Sequence, residues 1–591
     1  MVTGNFYDDN PDLQFTIEHF LNWDKIVPLV EENFADAAKY AQENDPQLEL
    51  APSNTEEAVE NYKMIFQQLG EIAGKALAPV AHEMDKEGLK FDNGKVIFPE
   101  SLLKVLNIVE ESGFLAYTCK RQYGGLNLSI SGEMPILEQL SRGEAAFALV
   151  VGCFNLAKVI EIYGDEEMKK KYVPLITSGQ MTSAMALTEP DFGSDLPHLR
   201  TSARQDDDGK WYITGTKRFI THGCGVGDKP SAILTLARTG AEGARGLSFF
   251  LVESNDVEIA RIEEKMGLHC SPTCEVVYEN SPAQLIGEPG KGLTKYAMGM
   301  MNGARLGIAI QGVGIGQAAY EEAKKYASER VQFGTTIDQM QPIKRILDEI
   351  DATVQAMRAI TYKCSEFVDV LEGTHGKLAR EGLNEKEIRK HPDIIENEKL
   401  AKLLTPTSKL FTSELVNKVA YDATGVFGGS GYTEDYMISK IYKDARICAI
   451  YEGTSQLQVI GAIGGIGEGM RPGGYLDRYL TQEIEALENP DLRIIFKDQL
   501  QTLADLVVLY KERSREEKDY LASDIVWYFA YLFPQILLAS QLDLAKNKGL
   551  TEIQAMKEKA LKNFQLIAKR EMAKLEIQLR EFEGARELVE A

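Results

Sequence analysis

Apolar residues recur at helical spacing through the first third of the chain. Ser53 or Asn54 is predicted to cap a helix that begins at about residue 55. From there to about Gly179, apolar side chains return every three or four positions, which is typical of amphipathic helices. The segments 102–109 and 134–140 are the clearest examples. This part of the chain is therefore predicted to be helical.

The pattern changes near Met181. Apolar segments become short, rich in β-branched and aromatic residues, and separated by turn residues. Asp207-Asp208-Gly209 is predicted to form a hairpin turn between two of them. The predicted strands include residues 211–214, 218–221, 232–236, 247–252 and 274–278. A β domain of about a hundred residues is predicted between helical segments.

Helical spacing returns after Gly290 and continues to about Ile466. Residues 470–475 contain Pro472-Gly473-Gly474 and are predicted to be a linker, after which helical spacing resumes. The predicted fold class is mainly α with an inserted β domain. The predicted division is an N-terminal helical extension, an N-terminal helical domain, a middle β domain, a C-terminal helical-bundle domain and an extra C-terminal helical domain, at residues 1–60, 61–180, 181–288, 289–469 and 470–591.

Charge narrows the possible partners. The chain of 591 residues carries 89 Asp and Glu against 65 Lys and Arg, a formal net charge of -24. An acidic surface repels phosphate backbones, so nucleic-acid binding is not predicted.

The seven cysteines are scattered and include no CxxC pair. His269, Cys270 and Cys274 are close in sequence, but no second ligand pair stands at metal-site spacing, so neither a zinc site nor a disulfide framework is predicted. Reduced cysteines and an N-terminus without a signal-peptide pattern favour a cytoplasmic location.

The longest apolar run, residues 525–539, has two interpretations. It is shorter than a bilayer span requires, and its Pro534 and Gln535 fit a buried core helix. The alternative is peripheral membrane contact through the C-terminal extension. That alternative is favoured by a nearby group of lysines, namely Lys546, Lys548, Lys557, Lys559 and Lys562.

Two glycine clusters, 312–316 and 461–465, resemble fragments of a dinucleotide-binding loop. Neither follows a strand in a strand–helix–strand unit, so a Rossmann site is not predicted. Five other segments carry residues suited to ring, phosphate or proton chemistry. They are residues 187–195 (LTEPDFGSD), 218–223 (RFITHG), 328–334 (SERVQFG), 421–432 (YDATGVFGGSGY) and 450–456 (IYEGTSQ). Taken alone, Glu452 in the last segment is predicted to be a helix cap.

Together and in this order, the five segments resemble the acyl-CoA dehydrogenase family. The TEPxxGSD, KxFITxG, ERxxFG, GGxGY and IYEGTSQ motifs follow the family order and spacing over about residues 60–466. The extensions on either side resemble those of larger bacterial members. The resemblance implies a helical domain, a β-barrel domain and a four-helix-bundle domain, with FAD between the last two and reaching across a homodimer interface.

The resemblance also implies a reaction. Family members remove one α-hydrogen of an acyl-CoA as a proton and one β-hydrogen as a hydride to flavin N5, which leaves a trans-2-enoyl-CoA. In the matching branch the YEG glutamate is the base, here Glu452. Another branch places its base at the position of Ala304, which cannot act as one. Such a base needs a pKa raised towards neutrality by an apolar pocket.

Further roles follow from the resemblance, residue by residue. Thr188, Thr221 and Phe219 are expected beside the flavin ring, and Ser194 beside the FAD pyrophosphate and substrate. Arg330 and Phe333 are expected to meet the FAD of the partner subunit. Thr454 and Gln456 are expected near the adenosine portion, and Gly428 and Gly429 are further expected FAD contacts. The expected substrate contacts besides Ser194 are Arg305, Tyr451 and Gly453. Two departures from the family pattern are Gly425, in place of a glutamine that contacts FAD, and Asn302, in place of an aspartate.

The expected electron acceptor is an electron-transfer flavoprotein, and the expected role is fatty-acid β-oxidation or related acyl-CoA degradation in the cytoplasm. Three alternatives remain at this point. The first is an acyl-CoA oxidase, which passes electrons to oxygen. The second is a nucleic-acid-associated flavoprotein, which the charge balance opposes. The third is a catalytically silent scaffold, against which Glu452 and the flavin threonines argue.

Overall fold

The computed structural model describes residues 2–582. Its α-helices are α1 (Pro11–Phe15), α2 (Trp23–Val30), α3 (Ala35–Glu43), α4 (Thr55–Glu71), α5 (Ala81–Glu87), α6 (Glu100–Glu111), α7 (Ile130–Gly143), α8 (Ala145–Phe154), α9 (Ala157–Tyr163), α10 (Glu166–Thr177), α11 (Met298–Glu329), α12 (Gln341–Arg380), α13 (Glu385–Ile388), α14 (Pro392–Phe427), α15 (Met437–Ala445), α16 (Ser455–Gly469), α17 (Tyr475–Ala486), α18 (Pro490–Glu512), α19 (Arg515–Asn547) and α20 (Thr551–Glu581). Its strands are β1 (Lys90–Asp92), β2 (Lys95–Ile97), β3 (Thr182–Ala186), β4 (Ser202–Gln205), β5 (Trp211–Thr221), β6 (Ser231–Arg238), β7 (Leu247–Glu253), β8 (Glu258–Ile262), β9 (Thr273–Ile286), β10 (Val331–Gln332) and β11 (Thr335–Thr336).

The described chain forms two compact units. The first unit holds residues 3–6 and 30–304, and the second holds residue 2, residues 7–29 and the chain from 305 onward. The first sixty residues, predicted as one extension, therefore contribute to both units. The five predicted segments are a finer division than these two units and stay a prediction.

In the first unit, the helical pattern of the sequence is confirmed. Asn54 caps α4, since its side chain accepts a hydrogen bond of 2.9 Å from the backbone N–H of Glu57. The predicted helical segments 102–109 and 134–140 lie within α6 and α7. The hairpin of β1 and β2 was not predicted, because strands of three residues are too short to give an alternating pattern.

The β domain of the first unit closes into a barrel. The strand order is β3-β6-β4-β5-β9-β7, and β6 also pairs with β7, which closes the ring. Inward-facing side chains such as Ile213, Ile233, Phe250 and Val276 fill the interior. The short segments rich in β-branched and aromatic residues that predicted this domain supply the core, and β6 and β7 are buried along almost their whole length. The barrel carries two of the five motifs: residues 187–195 follow β3, and residues 218–223 form the end of β5 and the turn after it.

The second unit is a bundle of long helices. Its apolar run, residues 525–539, lies inside α19, and every residue in it except the half-buried Trp527 is buried. By length and composition, two segments among the described residues pass the test for a membrane span, Ala145–Tyr163 and Arg515–Asn547, and 61% and 83% of their most apolar windows are buried inside the protein. Burial of this kind is expected of core helices. The core interpretation of residues 525–539 is therefore confirmed.

Lys557 is one of the lysines taken to favour membrane contact, but it does not lie at the surface. Lys557 is fully buried, and its Nζ donates hydrogen bonds to the carboxylate of Asp12 and, at 2.8 Å, to Gln541 Oε1. Arg358, from α12, donates to the same carboxylate and, at 2.9 Å, to Gln317 Oε1. Burial alone would raise the pKa of Asp12, but Lys557 and Arg358 hold it below its usual value. This buried cluster ties α1 to the bundle.

Candidate active site

The IYEGTSQ segment forms a tight turn in the second unit. The backbone of Glu452 lies in the left-handed region with φ of 53°, and Gly453 follows with φ of 89°. Helix α16 begins only at Ser455, and Thr454 occupies the N-cap position. Glu452 is therefore not a helix cap, which corrects the interpretation of this residue taken alone. A non-glycine residue in this conformation costs about 1 to 2 kcal/mol and persists only where its surroundings hold it.

Three side chains hold this turn. The Nζ of Lys409 donates to the carbonyl of Gly453 at 2.7 Å, and Gln458 Nε2 donates to the same carbonyl at 2.9 Å. Ser455 Oγ donates to the carboxylate of Glu414 and, at 3.3 Å, to the carbonyl of Ala449. Lys409 and Glu414 both belong to α14, so one long helix braces the turn from two points.

The carboxyl group of Glu452 has the environment that a general base requires. The residue is half-buried. Burial raises the pKa of its carboxyl from 4.5 to about 7, although Lys409 and Arg305 each pull it back. Within the described chain, no side chain or backbone N–H donates a hydrogen bond to this carboxyl. The group therefore exchanges a proton near neutral pH and has no protein donor to compete with a substrate.

The backbone around Glu452 also presents a donor. Among the described residues, the N–H of Glu452 donates to no protein acceptor. An unused N–H beside a carboxyl base is suited to bind a carbonyl oxygen on which negative charge develops. The neighbouring Tyr451 is half-buried, and its hydroxyl donates to Gln311 on α11.

We expect Gly453→Ala to lower catalytic efficiency by roughly 10- to 100-fold, because a side chain here displaces the peptide that follows Glu452. A Cβ at Gly453 would lie 2.8 Å from Gln458 Nε2, and the φ of 89° strains any other residue. The matched control is Gly464→Ala in α16, where a Cβ meets nothing within 4 Å. Equal values of kcat/KM for both variants would contradict this role for the turn.

In the first unit, the TEPxxGSD and KxFITxG motifs are joined by a buried ion pair. Lys217 Nζ donates to Glu189 Oε1 at 3.0 Å and to the carbonyl of Leu187 at 2.9 Å, and its side chain is fully buried. Glu189 also accepts from the backbone N–H groups of Arg200 and Thr201 at 2.7 and 2.9 Å. The pair fixes the loop that carries Thr188 against strand β5.

Strand β5 carries an irregularity that turns an aromatic ring outward. Its register with β9 shifts between Lys217 and Ile220, and Phe219 there has φ of 64° and 54% exposure. The backbone N–H of Arg218 donates to the carbonyl of Thr188 at 2.9 Å. Thr188 and Thr221 are half-buried, and Ser194 is exposed. The structure thus brings Thr188 beside the bulge of β5.

The ERxxFG motif forms a small hairpin in the second unit. Strands β10 and β11 flank Phe333 and Gly334, whose φ values are 52° and 82°. Positive φ at both central residues is what a two-residue hairpin loop requires. The Phe333 side chain is 96% exposed, and Arg330 at the base of the hairpin is exposed as well. A large apolar ring at a hairpin tip is typical of a binding surface.

The glycine-rich turn after α14 leaves open space. A Cβ added at Gly425, Gly428 or Gly429 would meet nothing within 4 Å. Thr454 is half-buried and Gln456 exposed at the start of α16. The side chain of Thr454 makes no capping hydrogen bond, so it is available to another group.

Several residues that support these sites have no role implied by the sequence motifs. Gln311, Lys409, Glu414 and Gln458 brace the Glu452 turn, and Lys217 and Glu189 brace the Thr188 loop. Lys217 and Glu189 stand inside quoted motifs, and Lys409 interrupts an apolar helix face, which is an available signal. Gln311 interrupts an apolar stretch of α11 in the same way, whereas Gln458 gives no comparable signal.

Comparison with protein-family models gives three matches in chain order. Residues 59–180 match the acyl-CoA dehydrogenase N-terminal domain, residues 184–281 match the middle domain, and residues 290–380 with 390–462 match the C-terminal domain. Together these matches cover more than half of the chain.

Individual proteins extend the comparison. The chain is 33% identical over 403 residues to an acyl-CoA dehydrogenase from Bacillus subtilis, which covers 67% of this chain and 95% of that one. It is 29% identical over 501 residues to a 3-methylmercaptopropionyl-CoA dehydrogenase from Ruegeria pomeroyi, at 81% and 78% coverage. An acyl-CoA dehydrogenase from Bacillus anthracis, solved with FAD, shares the fold with a TM-score of 0.74, 23% identity and 88% coverage of both chains.

The last two comparisons cover 81% and 88% of this chain, so the similarity reaches beyond residues 59–462. The family matches, the relatives and the mainly helical fold with a β-barrel domain all agree. This chain belongs to the acyl-CoA dehydrogenase family of FAD-dependent oxidoreductases.

Proposed function

We propose that the protein converts an acyl-CoA thioester to the trans-2-enoyl-CoA, with Glu452 as the base that removes the α-proton. The observation that carries this proposal is the Glu452 carboxyl, half-buried in a left-handed turn with a pKa of about 7 and no protein donor among the described residues. A carboxylate with a pKa near the working pH combines a useful fraction of the ionised form with sufficient basicity.

The turn that carries Glu452 also provides groups that can bind the substrate. The unused N–H of Glu452 is proposed to bind the thioester carbonyl, which stabilises the negative charge left when the α-proton moves to the carboxylate. Tyr451, Gly453 and Arg305 are proposed to contact the substrate, as is Ser194 of the first unit. Arg305 is a cation close enough to lower the pKa of Glu452.

FAD, when bound, supplies the acceptor for the β-hydrogen and its electron pair. The residues of this chain fit that group. Phe219 offers an exposed ring beside Thr188 and Thr221, and the glycines of the turn after α14 leave room. On the second unit the residues proposed to hold FAD are Arg330, Phe333, Gly428, Gly429, Thr454 and Gln456. Gly425 offers no side chain for the contact that a glutamine makes in many members.

A homodimer and an electron-transfer flavoprotein as acceptor are part of the proposal. Exposed aromatic residues support the dimer: Phe333 at 96%, Tyr432 at 94% and Tyr421 at 63%. Apolar rings at such exposure favour a partner surface. Fatty-acid or related acyl-CoA degradation and a cytoplasmic location stay predictions. Because one relative is named for a thioether-bearing acyl-CoA, that substrate class is a proposed candidate beside straight-chain and branched ones.

The pH dependence follows from Glu452. Since its pKa is raised to about 7, the carboxyl is protonated below that pH and cannot accept the α-proton. We expect kcat to fall as the pH is lowered through about 7, by about tenfold for each further unit. The measurement is the rate of acyl-CoA-dependent reduction of an electron acceptor between pH 5 and 9. A rate that stays constant down to pH 5 would exclude Glu452 as a base with this pKa.

A further inference from the structure

Lys409 is an unusual residue for the middle of a buried helix face. It belongs to α14 and is fully buried, among neighbours such as Leu404, Leu410 and Phe411 that are also buried. Burying an ammonium group is unfavourable unless something nearby compensates for its charge. Within the described chain, no carboxylate lies within ion-pair distance of Lys409, and its one hydrogen bond is to the carbonyl of Gly453.

That hydrogen bond alone does not explain a lysine. The carbonyl of Gly453 also accepts from Gln458 Nε2 at 2.9 Å, so a neutral donor already serves it. What a lysine adds is a positive charge next to the turn that carries Glu452. Burial lowers the pKa of the Lys409 ammonium group to about 8, so the group is still mainly charged at neutral pH, and its charge favours the ionised form of the Glu452 carboxyl.

We propose that Lys409 is a positioning residue for Glu452: its ammonium group clamps the Gly453 carbonyl and places a positive charge behind the turn that carries the Glu452 carboxyl. In the active enzyme the inference rests on the proposed role of Glu452 as base. Without this charge, burial would leave the carboxyl protonated at the pH where it has to act.

Several other ionisable groups lie around the turn that carries Glu452. Arg305 from α11 is a second cation that favours the ionised carboxyl, and Glu414 from α14 is an anion that favours the charged form of Lys409. The remaining ionisable groups around the turn are Cys448, Tyr451 and the buried pair of Lys440 with Asp444. None of these residues is replaced in the Lys409 variants, so a shift in the titration of Glu452 is attributed to the loss of the lysine.

The test uses the full-length, FAD-loaded protein and three substitutions. Lys409→Met removes both the charge and the donor, Lys409→Gln removes the charge and keeps a donor, and Lys409→Arg keeps both. Lys402→Met is the matched control, since Lys402 lies on the same helix with its side chain 67% exposed and paired with Glu398. Titration of the Glu452 carboxyl is followed by infrared difference spectroscopy, with Glu452→Gln identifying its band.

We expect the titration midpoint to rise by about one pH unit in the Met and Gln variants, to stay near the wild-type value in the Arg variant and to be unchanged in the control. The acid limb of kcat should move by the same amount while KM changes little. If the Met variant fails to fold, the Gln variant carries the test. Unchanged midpoints in the Gln and Met variants would overturn the inference.

The infrared midpoint does not require turnover. A shifted midpoint in a protein that no acyl-CoA reduces would therefore contradict the proposed function and leave the role of Lys409 supported. An unshifted midpoint in an enzyme that an acyl-CoA reduces would contradict the role of Lys409 and leave the proposed function supported.

Discussion

Replacing Glu452 by glutamine should lower kcat by roughly 10²- to 10⁴-fold, the range in which a positioned general base contributes. Glutamine has nearly the same shape but cannot accept the α-proton, so the turn and the flavin should remain in place. The measurement is steady-state oxidation of an acyl-CoA with an artificial electron acceptor, together with the visible spectrum of bound FAD. We expect a normal spectrum and a lost rate.

The thermal stability of Glu452→Gln distinguishes loss of the catalytic base from damage to the fold. A carboxyl whose pKa is raised in the folded state stabilises the fold below its unfolded value of 4.5 and loses that contribution as the pH rises through about 7. Glu452→Gln should therefore melt at a higher temperature than the wild type at pH 8, and the difference should vanish near pH 4.5. Glu468→Gln, at an exposed pair with Lys399, is the matched control. A Glu452→Gln enzyme with wild-type kcat would eliminate Glu452 as the base.

Replacing Asp12 by asparagine should lower the apparent free energy of unfolding of the second unit by about 3 to 5 kcal/mol. The substitution leaves Lys557 and Arg358 buried close to each other with no carboxylate between them. Removing one member of a buried charge cluster is far more destabilising than the net contribution of the intact cluster. Urea unfolding followed by tryptophan fluorescence measures the effect, since Trp23 and Trp527 lie in this unit.

Two further variants test whether the effect of Asp12→Asn comes from the buried charge cluster. Glu558→Gln breaks an exposed ion pair with Lys562 on α20 and should cost less than about 1 kcal/mol. The double variant Asp12→Asn with Lys557→Met should recover part of the loss, because it removes one of the two buried cations that face residue 12. If Asp12→Asn is no less stable than Glu558→Gln, the buried cluster is not what holds α1 to the bundle.

Much of the fold could be predicted from the hydrophobic pattern. Helical spacing before residue 180, short β-branched segments after it and helical spacing again after Gly290 correspond to the observed helices and barrel. The burial of Lys557 and its ion pair could not be predicted, because its partner Asp12 stands 545 residues away and no local pattern joins them. The hairpin 90–97 was missed because its strands have only three residues each.

The candidate site was predictable only in part. The resemblance identified Glu452, but the residue taken alone suggested a helix cap, whereas the structure puts it in a left-handed turn before α16. The conformation depends on the Gly453 carbonyl being held by Lys409 and Gln458, which are tertiary contacts. The raised pKa likewise depends on burial by distant segments. The roles of the flavin and substrate residues stay predictions.

The most direct test is an anaerobic titration of the FAD-loaded protein with straight-chain, branched, cyclic and thioether-bearing acyl-CoAs, following the visible absorbance of the flavin. If the protein is an acyl-CoA dehydrogenase with Glu452 as its base, one class should bleach the flavin at about one equivalent, and Glu452→Gln should abolish the bleaching while the flavin stays bound. A flavin that dithionite bleaches but no acyl-CoA of any class does would contradict the account.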